Sequence, residues 1–138
     1  MYNTGVIAGS FDVIHPGYIY MFAEAKKICK HLTIALQTDP TFERKEKLKC
    51  ILSVDERVKM LSSIRYIDNV CLYKTEQELY NLLSNNKFDV RILGNDYINK
   101  EITGKNLCKY IYYVERNHGW STTKFKTMIY NSLENKYE

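Results

Sequence analysis

The chain has 138 residues, of which 45% are hydrophobic and 26% are charged, and its formal net charge is +4. These values are ordinary for one globular domain and exclude both a fibrous repeat and a disordered chain. Apolar runs are far shorter than the roughly 20 residues that a membrane-spanning helix needs, and the N-terminal residues lack the layout of a signal peptide. We therefore expect a single domain, residues 1–138, that is cytoplasmic and has no membrane partner.

The first half of the chain alternates between strand-like and helix-like segments. Residues 4–9 form a short apolar run that ends in glycine, and residues 16–31 then carry apolar side chains at the spacing of one helix face, with a proline in the first turn. Residues 32–38 are predicted to form a second strand. A serine and a glutamate at the spacing of a capping box predict a helix over residues 53–64.

The second half continues the same alternation. Strand-like runs occupy residues 69–73, 89–94 and 109–114. A second capping box predicts a helix over residues 75–86, and a closing helix over residues 121–133 begins at a capping serine or threonine. The pattern predicts an α/β fold, a Rossmann-like doubly wound parallel sheet of about five strands, with no linker that would mark a domain boundary.

The four cysteines are spread along the chain and form no CxxC pair. This spacing argues against a zinc site or a disulfide framework, so we expect free thiols. No metal-binding side chains are predicted.

Each cluster of polar or charged side chains follows a predicted strand. Because the carboxyl ends of parallel strands meet at one edge of the sheet, these loops should converge on one pocket. The clusters are GSFDVIHPGY at 9–18, ERKEKLKC at 43–50, GNDY at 94–97 and RNHGWSTT at 116–123.

The first of these loops has the features of a phosphate site. Gly9 and Gly17 allow backbone N–H groups to approach a ligand closely, and the helix that starts near Pro16 points the positive end of its dipole into the pocket. The hydroxyls of residues 121–123 repeat this arrangement at the last helix. Together with Arg116 and Lys45, they favour a triphosphate over a single phosphate.

The basic run at 43–50 is less specific. It places Arg44, Lys45, Lys47 and Lys49 within six positions. A solvated surface, a polyphosphate pocket and a nucleic-acid patch would all suit such a run. Since no nucleic-acid-binding motif accompanies it, we expect no nucleic-acid partner.

The two main loops resemble known signatures. GSFDVIHPGY resembles the GTFDxxHxGH signature of the cytidylyltransferase-like nucleotidyltransferases, and RNHGWSTT resembles their late RTxGxST signature. VDERVKMLSSIRYIDNV and ILGNDY are similar to segments of the glycerol-3-phosphate cytidylyltransferases. The resemblance runs from Gly5 to about Met128. It implies a homodimeric enzyme that joins CTP to a small phosphorylated alcohol and releases pyrophosphate, with Mg²⁺ held mainly by the nucleotide phosphates.

The resemblance also implies roles for individual residues. His15, Lys45 and Arg116 correspond to catalytic positions, with Lys47 and Lys49 as alternatives to Lys45. Arg57 and Arg65 correspond to the paired arginines of the family and are predicted to bind substrate; the alternatives are a partner subunit or surface carboxylates. The nucleotide-binding positions are Gly9, Ser10, Phe11, His15, Tyr18, Asp96, Arg116, Ser121 and Thr122.

Tyr18 departs from the signature, which has a second histidine at this position. A phenol can donate a hydrogen bond to a phosphate oxygen, but it does not become a cation near pH 7 as an imidazole can. Three functions therefore stay open: a cytidylyltransferase, an adenylyltransferase of the same superfamily, and a nucleotide-binding module whose catalysis is weakened by Tyr18.

Overall fold

The computed structural model describes residues 1–137, and the side chains of residues 1–136. The chain alternates strands and helices, beginning with β1 (Tyr2–Gly9), α1 (Pro16–Ile28), β2 (Cys29–Gln37), α2 (Val54–Ser62) and β3 (Asn69–Tyr73). It continues with α3 (Glu76–Asn86), β4 (Val90–Gly94), a 3₁₀ turn (Asn95–Tyr97), β5 (Tyr110–Val114) and α4 (Thr122–Tyr137). Among the described residues, no helix is long and apolar enough to cross a membrane.

The five strands form one parallel sheet in the order β3-β2-β1-β4-β5. The predicted α/β fold is therefore confirmed. The order reverses direction between β1 and β4, since β2 and β3 extend the sheet on one side and β4 and β5 on the other. Ligands of open α/β sheets bind at such a reversal point, beyond the carboxyl ends of the strands.

The helices cover both faces of the sheet. On one face, the core includes Phe22 of α1 and Leu61 of α2, packed on Ile7 and other strand residues. On the opposite face, Leu79 and Leu83 of α3 pack around Val6. We refer to these two surfaces as the α1 face and the α3 face.

The helix starts agree with the local signals in the sequence. Ser53 and Thr75 each complete a capping box, with Glu56 and Glu78 respectively. The end of the first helix differs from the prediction of residues 16–31, because α1 stops at Ile28 and the chain enters β2 directly. Cys29 is buried and pairs with Tyr2 across the sheet, so strand pairing ends the helix there.

All four cysteines are free thiols, namely Cys29, Cys50, Cys71 and Cys108. Burial raises the pKa of each thiol, which keeps these groups protonated and unreactive.

Candidate active site

A pocket of about 710 Å³ opens at the carboxyl ends of β1, β4 and β5. The first turns of α1 and α4 form its opposite wall, so the positive ends of two helix dipoles face the same space. The loops predicted to converge do so here. Its wall includes Gly9, Ser10, Phe11, Asp12, His15, Tyr18, Lys47, Asp96, Arg116, His118, Trp120, Thr122 and Lys126.

The loop between β1 and α1 has a strained backbone. Phe11 and Val13 both have positive φ, at 47° and 64°. For residues that are not glycine, this region costs on the order of 1–3 kcal/mol and occurs often at functional sites. The Phe11 ring is buried against Tyr18 and Phe22. Phe11 therefore supports the pocket floor from the core as well as lining it.

His15 is the N-cap of α1. Its Nδ1 accepts a hydrogen bond from the backbone N–H of Gly17 at 3.1 Å. Since Nδ1 is the acceptor, the hydrogen-bond network assigns the proton of the neutral ring to Nε2. Burial lowers the pKa of His15, and the positive charges of Arg116 and His118 lower it further. The site thus holds a neutral imidazole with an N–H donor on Nε2.

His15, Tyr18 and Thr122 form a contact between the first and last helices. The Thr122 Oγ1 atom lies 3.4 Å from His15 Nε2 and 2.5 Å from the Tyr18 hydroxyl oxygen. The Tyr18 ring also stacks on the His15 ring, with centroids 4.0 Å apart. Tyr18 therefore occupies a position in the hydrogen-bond network, which the sequence alone did not predict.

Gly17 makes this contact between the helices possible. A Cβ atom at Gly17 would lie 2.8 Å from Trp120 Cβ and 2.9 Å from the His15 ring. Any larger residue would push the late loop away from α1. The glycine of the first signature is therefore required for close packing, in addition to its predicted approach to a ligand.

The late loop is organised by Ser121 and Arg116. The Ser121 hydroxyl accepts the backbone N–H of Lys124 at 3.1 Å and so caps α4. Arg116 donates to Asp96 at 3.1 Å and to the Trp120 carbonyl at 3.0 Å. Arg116 and Asp96 thus form an ion pair on the pocket rim. Both residues line the pocket, so a ligand there can contact the guanidinium.

Asp12 links the first loop to two distant segments. Its carboxylate accepts the N–H groups of Ile51 and Leu52 at 2.7 and 3.0 Å, and Lys126 of α4 at 2.8 Å. Burial alone would raise the pKa of Asp12, but these hydrogen bonds outweigh it and the pKa lies below its ordinary value. The position of Lys126 in the pocket was missed, because nothing in its own sequence neighbourhood sets it apart.

The basic run contributes one lysine to the pocket wall. That residue is Lys47; Lys45 and Lys49 do not line the pocket, although all three side chains are exposed. The structure thus favours Lys47 over the predicted Lys45. The physical reason is the path of the exposed segment over residues 41–49, which places Lys47, and neither of the other two lysines, on the wall of the pocket.

The paired arginines do not line the pocket either. Arg57 is 1% exposed, and its guanidinium donates to the carbonyl groups of Ser10, Gln37, Thr38 and Leu52. The prediction that Arg57 binds substrate is corrected on this geometry, because the hydrogen bonds to backbone carbonyls occupy all three guanidinium nitrogens. Arg65 lies exposed beyond α2, with its guanidinium on the Tyr66 ring, so it does not reach the pocket.

Comparison with known proteins shows the family to which this chain belongs. The family described as cytidylyltransferase-like matches residues 6–128. The glycerol-3-phosphate cytidylyltransferase of Bacillus subtilis is 35% identical over 88% of this chain and 92% of its own length. The enzyme of the same name from Staphylococcus aureus is 33% identical over 88% and 91%.

Two further matches are a longer bifunctional protein and a solved structure. The bifunctional protein HldE of Campylobacter concisus is 32% identical over 83% of this chain, which spans 24% of that longer protein. A crystal structure of a lipopolysaccharide core biosynthesis protein from Thermoplasma volcanium matches with a TM-score of 0.66 at 22% identity, covering 85% of this chain and all of that one. At this identity the second match supports the fold alone. The chain belongs to the cytidylyltransferase-like family and is an enzyme of the nucleotidyltransferase class.

Proposed function

We propose that this enzyme transfers CMP from CTP to a small phosphorylated alcohol, of which glycerol 3-phosphate is the first candidate, and releases pyrophosphate. The names and coverage of the two relatives at 33–35% identity support this choice of substrates. The observation that carries the proposal is the meeting of His15, Tyr18 and Thr122 between two helix N-termini, with Arg116 on the rim.

The chemistry needs little covalent assistance. A phosphate oxygen of the acceptor attacks the α-phosphorus of CTP, and the bond from that phosphorus to the bridging oxygen of the β-phosphate breaks. The protein accelerates such a displacement by holding the two anions in line and by stabilising charge on the leaving pyrophosphate. A neutral His15 with its proton on Nε2 is suited to donate one hydrogen bond to that charge.

Three cationic side chains of the pocket wall are candidates to contact a triphosphate ligand. Lys47, Arg116 and Lys126 line the wall, together with carboxylates that include Asp12 and Asp96. The dipoles of α1 and α4 add partial positive charge at their first turns. Lys126 is paired with Asp12 and Arg116 with Asp96. Lys47 has no ion pair among the described residues, so it is the first candidate for a phosphate contact, and Arg116 on the rim is the second.

Mg²⁺ is part of the proposal. Within residues 1–137, no group of three or more His, Cys, Asp or Glu side chains is arranged to hold a metal ion. The four carboxylates of the pocket wall already accept hydrogen bonds; they are Asp12, Glu24, Asp96 and Glu115. These residues fit an ion held mainly by phosphate oxygens and water, with Asp96 as the carboxylate nearer the rim; such an ion would neutralise phosphate charge.

We also propose that the enzyme is a homodimer. The outer side of α4 exposes four large apolar side chains, which are unusual on a surface that faces only water. A second copy of the chain would cover them, and sedimentation analysis checks this assembly. They are Met128, Ile129, Tyr130 and Leu133.

Steady-state pyrophosphate release tests the proposed reaction. CTP, ATP, GTP and UTP are each paired with a panel of phosphorylated alcohols, phosphorylated amino alcohols and sugar phosphates. We expect release with CTP and a phosphorylated alcohol. Turnover with ATP in place of CTP would show an adenylyltransferase instead.

Thermal unfolding provides a second readout that does not need turnover. A ligand that binds the folded state at 100 times its dissociation constant adds about 2.7 kcal/mol of stability. CTP should therefore raise Tm more than ATP at equal concentration. Stabilisation by CTP without turnover on any acceptor would favour the nucleotide-binding module, and equal shifts from all four nucleotides would contradict a cytidine pocket.

A further inference from the structure

A second cavity of about 320 Å³ adjoins the main pocket on the α3 face. The two cavities share Gly9, Ser10, Lys47 and Gly94 as wall residues, so a single ligand can extend from one into the other. We call this second cavity the side chamber. Apart from the wall residues that it shares with the main pocket, Lys47 among them, the chamber has no part in the nucleotidyl transfer proposed above.

Arg91 lies in the wall of the side chamber, in the middle of β4. Its neighbours in the sheet are Val6 on one side and Ile111 on the other, and its side chain is 5% exposed. An arginine at a central strand position costs free energy unless its charge and its donors are matched. Two residues on the same face of the sheet, Val6 beside Arg91 and Leu93 two positions along β4, are buried and apolar, so this position could have been filled by an apolar side chain.

The donors of Arg91 are not matched by the protein. Nη1 donates to the carbonyl of Thr103, and the buried Nε has no partner. In the part of the chain that the structure describes, neither a hydrogen bond from Nη2 nor a carboxylate within 4.0 Å of the guanidinium is present. Burial lowers the pKa of Arg91, while Glu76 and Tyr73 act in the opposite direction from longer range.

Tyr73 presents a second donor to the same space. Its side chain is 5% exposed and lines the side chamber. Among residues 1–137, its hydroxyl has no hydrogen-bond partner, and burial is the main cause that raises its pKa. Arg91 and Tyr73 therefore both lie on the wall of the side chamber with donors that no acceptor of the described residues satisfies.

The charges around the chamber are positive in sum. Arg44 and Lys47 join Arg91 on its wall, against the carboxylates of Glu76 and Glu101. Glu76 is itself engaged, since one of its oxygens accepts the Thr103 hydroxyl at 2.5 Å. An anionic group is the ligand that these side chains would bind best.

We propose that the side chamber binds a second acidic group of the acceptor, a carboxylate or phosphate remote from the attacking phosphate. This inference rests on the proposed function. The attacking phosphate must lie near His15, at the α1 face, whereas Arg91 is on the α3 face and three residues down the strand from Gly94, about 10 Å. One group cannot serve both positions, so an acceptor that fills both carries the attacking phosphate at one end and a second acid at the other.

Calorimetric binding of two matched acceptors tests the proposal without requiring turnover. Glycerol 3-phosphate and 3-phosphoglycerate differ mainly in one end, which is an alcohol in the first and a carboxylate in the second. We expect the wild-type protein, loaded with CTP in the absence of Mg²⁺ so that no reaction starts, to bind 3-phosphoglycerate at least tenfold more tightly. Glycerol 1,3-bisphosphate, as a third probe, shows whether the chamber prefers a phosphate to a carboxylate.

Variants locate the preference in the chamber. Arg91→Met should abolish the preference for 3-phosphoglycerate, and Arg91→Lys should retain part of that preference. Tyr73→Phe, which removes a hydroxyl without a partner, should reduce the preference severalfold with Tm unchanged. Lys59→Met, on the exposed side of α2, removes a cation elsewhere and should leave it intact. CTP binding measured alone should not change in any of them.

Equal binding of the two acceptors by the wild type, or no measurable binding of either, would overturn the proposal. So would a preference that survives both Arg91→Met and Tyr73→Phe. The proposed reaction is judged separately, by pyrophosphate release with CTP and glycerol 3-phosphate. An active enzyme that shows no preference for the second acid would leave the reaction standing and remove the side-chamber inference.

Discussion

The two nitrogens of His15 serve different purposes. Nδ1 caps α1 through the Gly17 N–H, while Nε2 faces the Thr122 hydroxyl at 3.4 Å. One side chain therefore combines a helix cap with a hydrogen-bond donor aimed at the pocket. Because the cap determines which nitrogen carries the proton, the fold itself prepares the donor.

Separate substitutions can distinguish the cap from the donor. Asparagine is a good N-cap, so His15→Asn should retain most of the cap, whereas His15→Ala should lose roughly 1 kcal/mol of unfolding free energy from the cap alone. Both variants lack the Nε2 donor and should lose about 10²-fold or more in turnover. Thermal unfolding and pyrophosphate release check the two effects. Near-normal turnover in His15→Asn would assign His15 to the cap alone.

Tyr18 should act through Thr122. The two oxygens are 2.5 Å apart, so Tyr18→Phe and Thr122→Val remove the same hydrogen bond. We expect each variant to lower turnover, and the double variant to lose less than the sum, with a coupling of about 0.5–3 kcal/mol in the activation free energy. Additive losses would show that the two hydroxyls act independently. Tyr18→His should also lower turnover, since the pocket is packed around the phenol; a gain would indicate a degenerate site.

The connection between β2 and α2 is held at its two ends by buried charged groups. Asp12 accepts the N–H groups of Ile51 and Leu52, and Arg57 donates to the carbonyls of Gln37 and Thr38. Its middle part is exposed. Fixed ends give the exposed part a defined direction, and this direction brings Lys47 to the pocket.

Lysine substitutions in this connection should therefore have unequal effects. Lys47→Met should raise KM for CTP by about tenfold or more, because a hydrogen bond to a charged group contributes about 1.5–3 kcal/mol. Lys45→Met removes the same charge two residues away and should change KM less than twofold. Initial-rate kinetics at fixed ionic strength measure both. A larger effect from Lys45 would return that residue to the position first predicted for it.

Helix starts were predictable because their causes are local. Ser53, Thr75 and Pro16 act within one turn of their own helices. The end of α1 was not predictable, since it depends on pairing between Tyr2 and Cys29. The role of Arg57 was missed for a related reason, because its carbonyl partners come from separate parts of the chain. Sequence spacing alone does not distinguish a buried arginine from an exposed one.

At the scale of the whole molecule, the site is assembled from both ends of the chain. Lys126 of α4 pairs with Asp12, and Thr122 of α4 contacts Tyr18 of α1. The last helix is therefore part of the pocket as well as part of the surface. Loss of the fold at either end would remove the site.

Two buried groups should make the stability of the molecule depend on pH. The pKa of His15 lies below its ordinary value of 6.5, so the unfolded chain takes up this proton first and stability falls as pH drops below about 6.5. The pKa of Asp12 lies below its ordinary 3.8, so its contribution is present above that pH and is lost as pH falls further. Tm measured from pH 8 to pH 3 should show both steps.

Variants assign each step to its group. His15→Asn should flatten the Tm profile near pH 6, and Asp12→Asn should reduce the loss at low pH while lowering Tm at neutral pH. An unchanged slope near pH 6 in His15→Asn would mean that another group titrates there.

The central position of β1 also bears on how the chain folds. β1 pairs with β2, the next strand in sequence, on one edge. Its other edge pairs with β4, which begins only at Val90, and we call this pairing the β1–β4 seam. Asp89 closes that seam, because its carboxylate accepts the N–H groups of Asn3 and Thr4. Contacts between residues so distant in sequence are slow to form. During synthesis, the first three strands can assemble while one edge of β1 remains unpaired. The unpaired N–H and C=O groups of such an edge can pair with other chains. We expect the interval before β4 emerges from the ribosome to be the period in which this protein is most prone to aggregate.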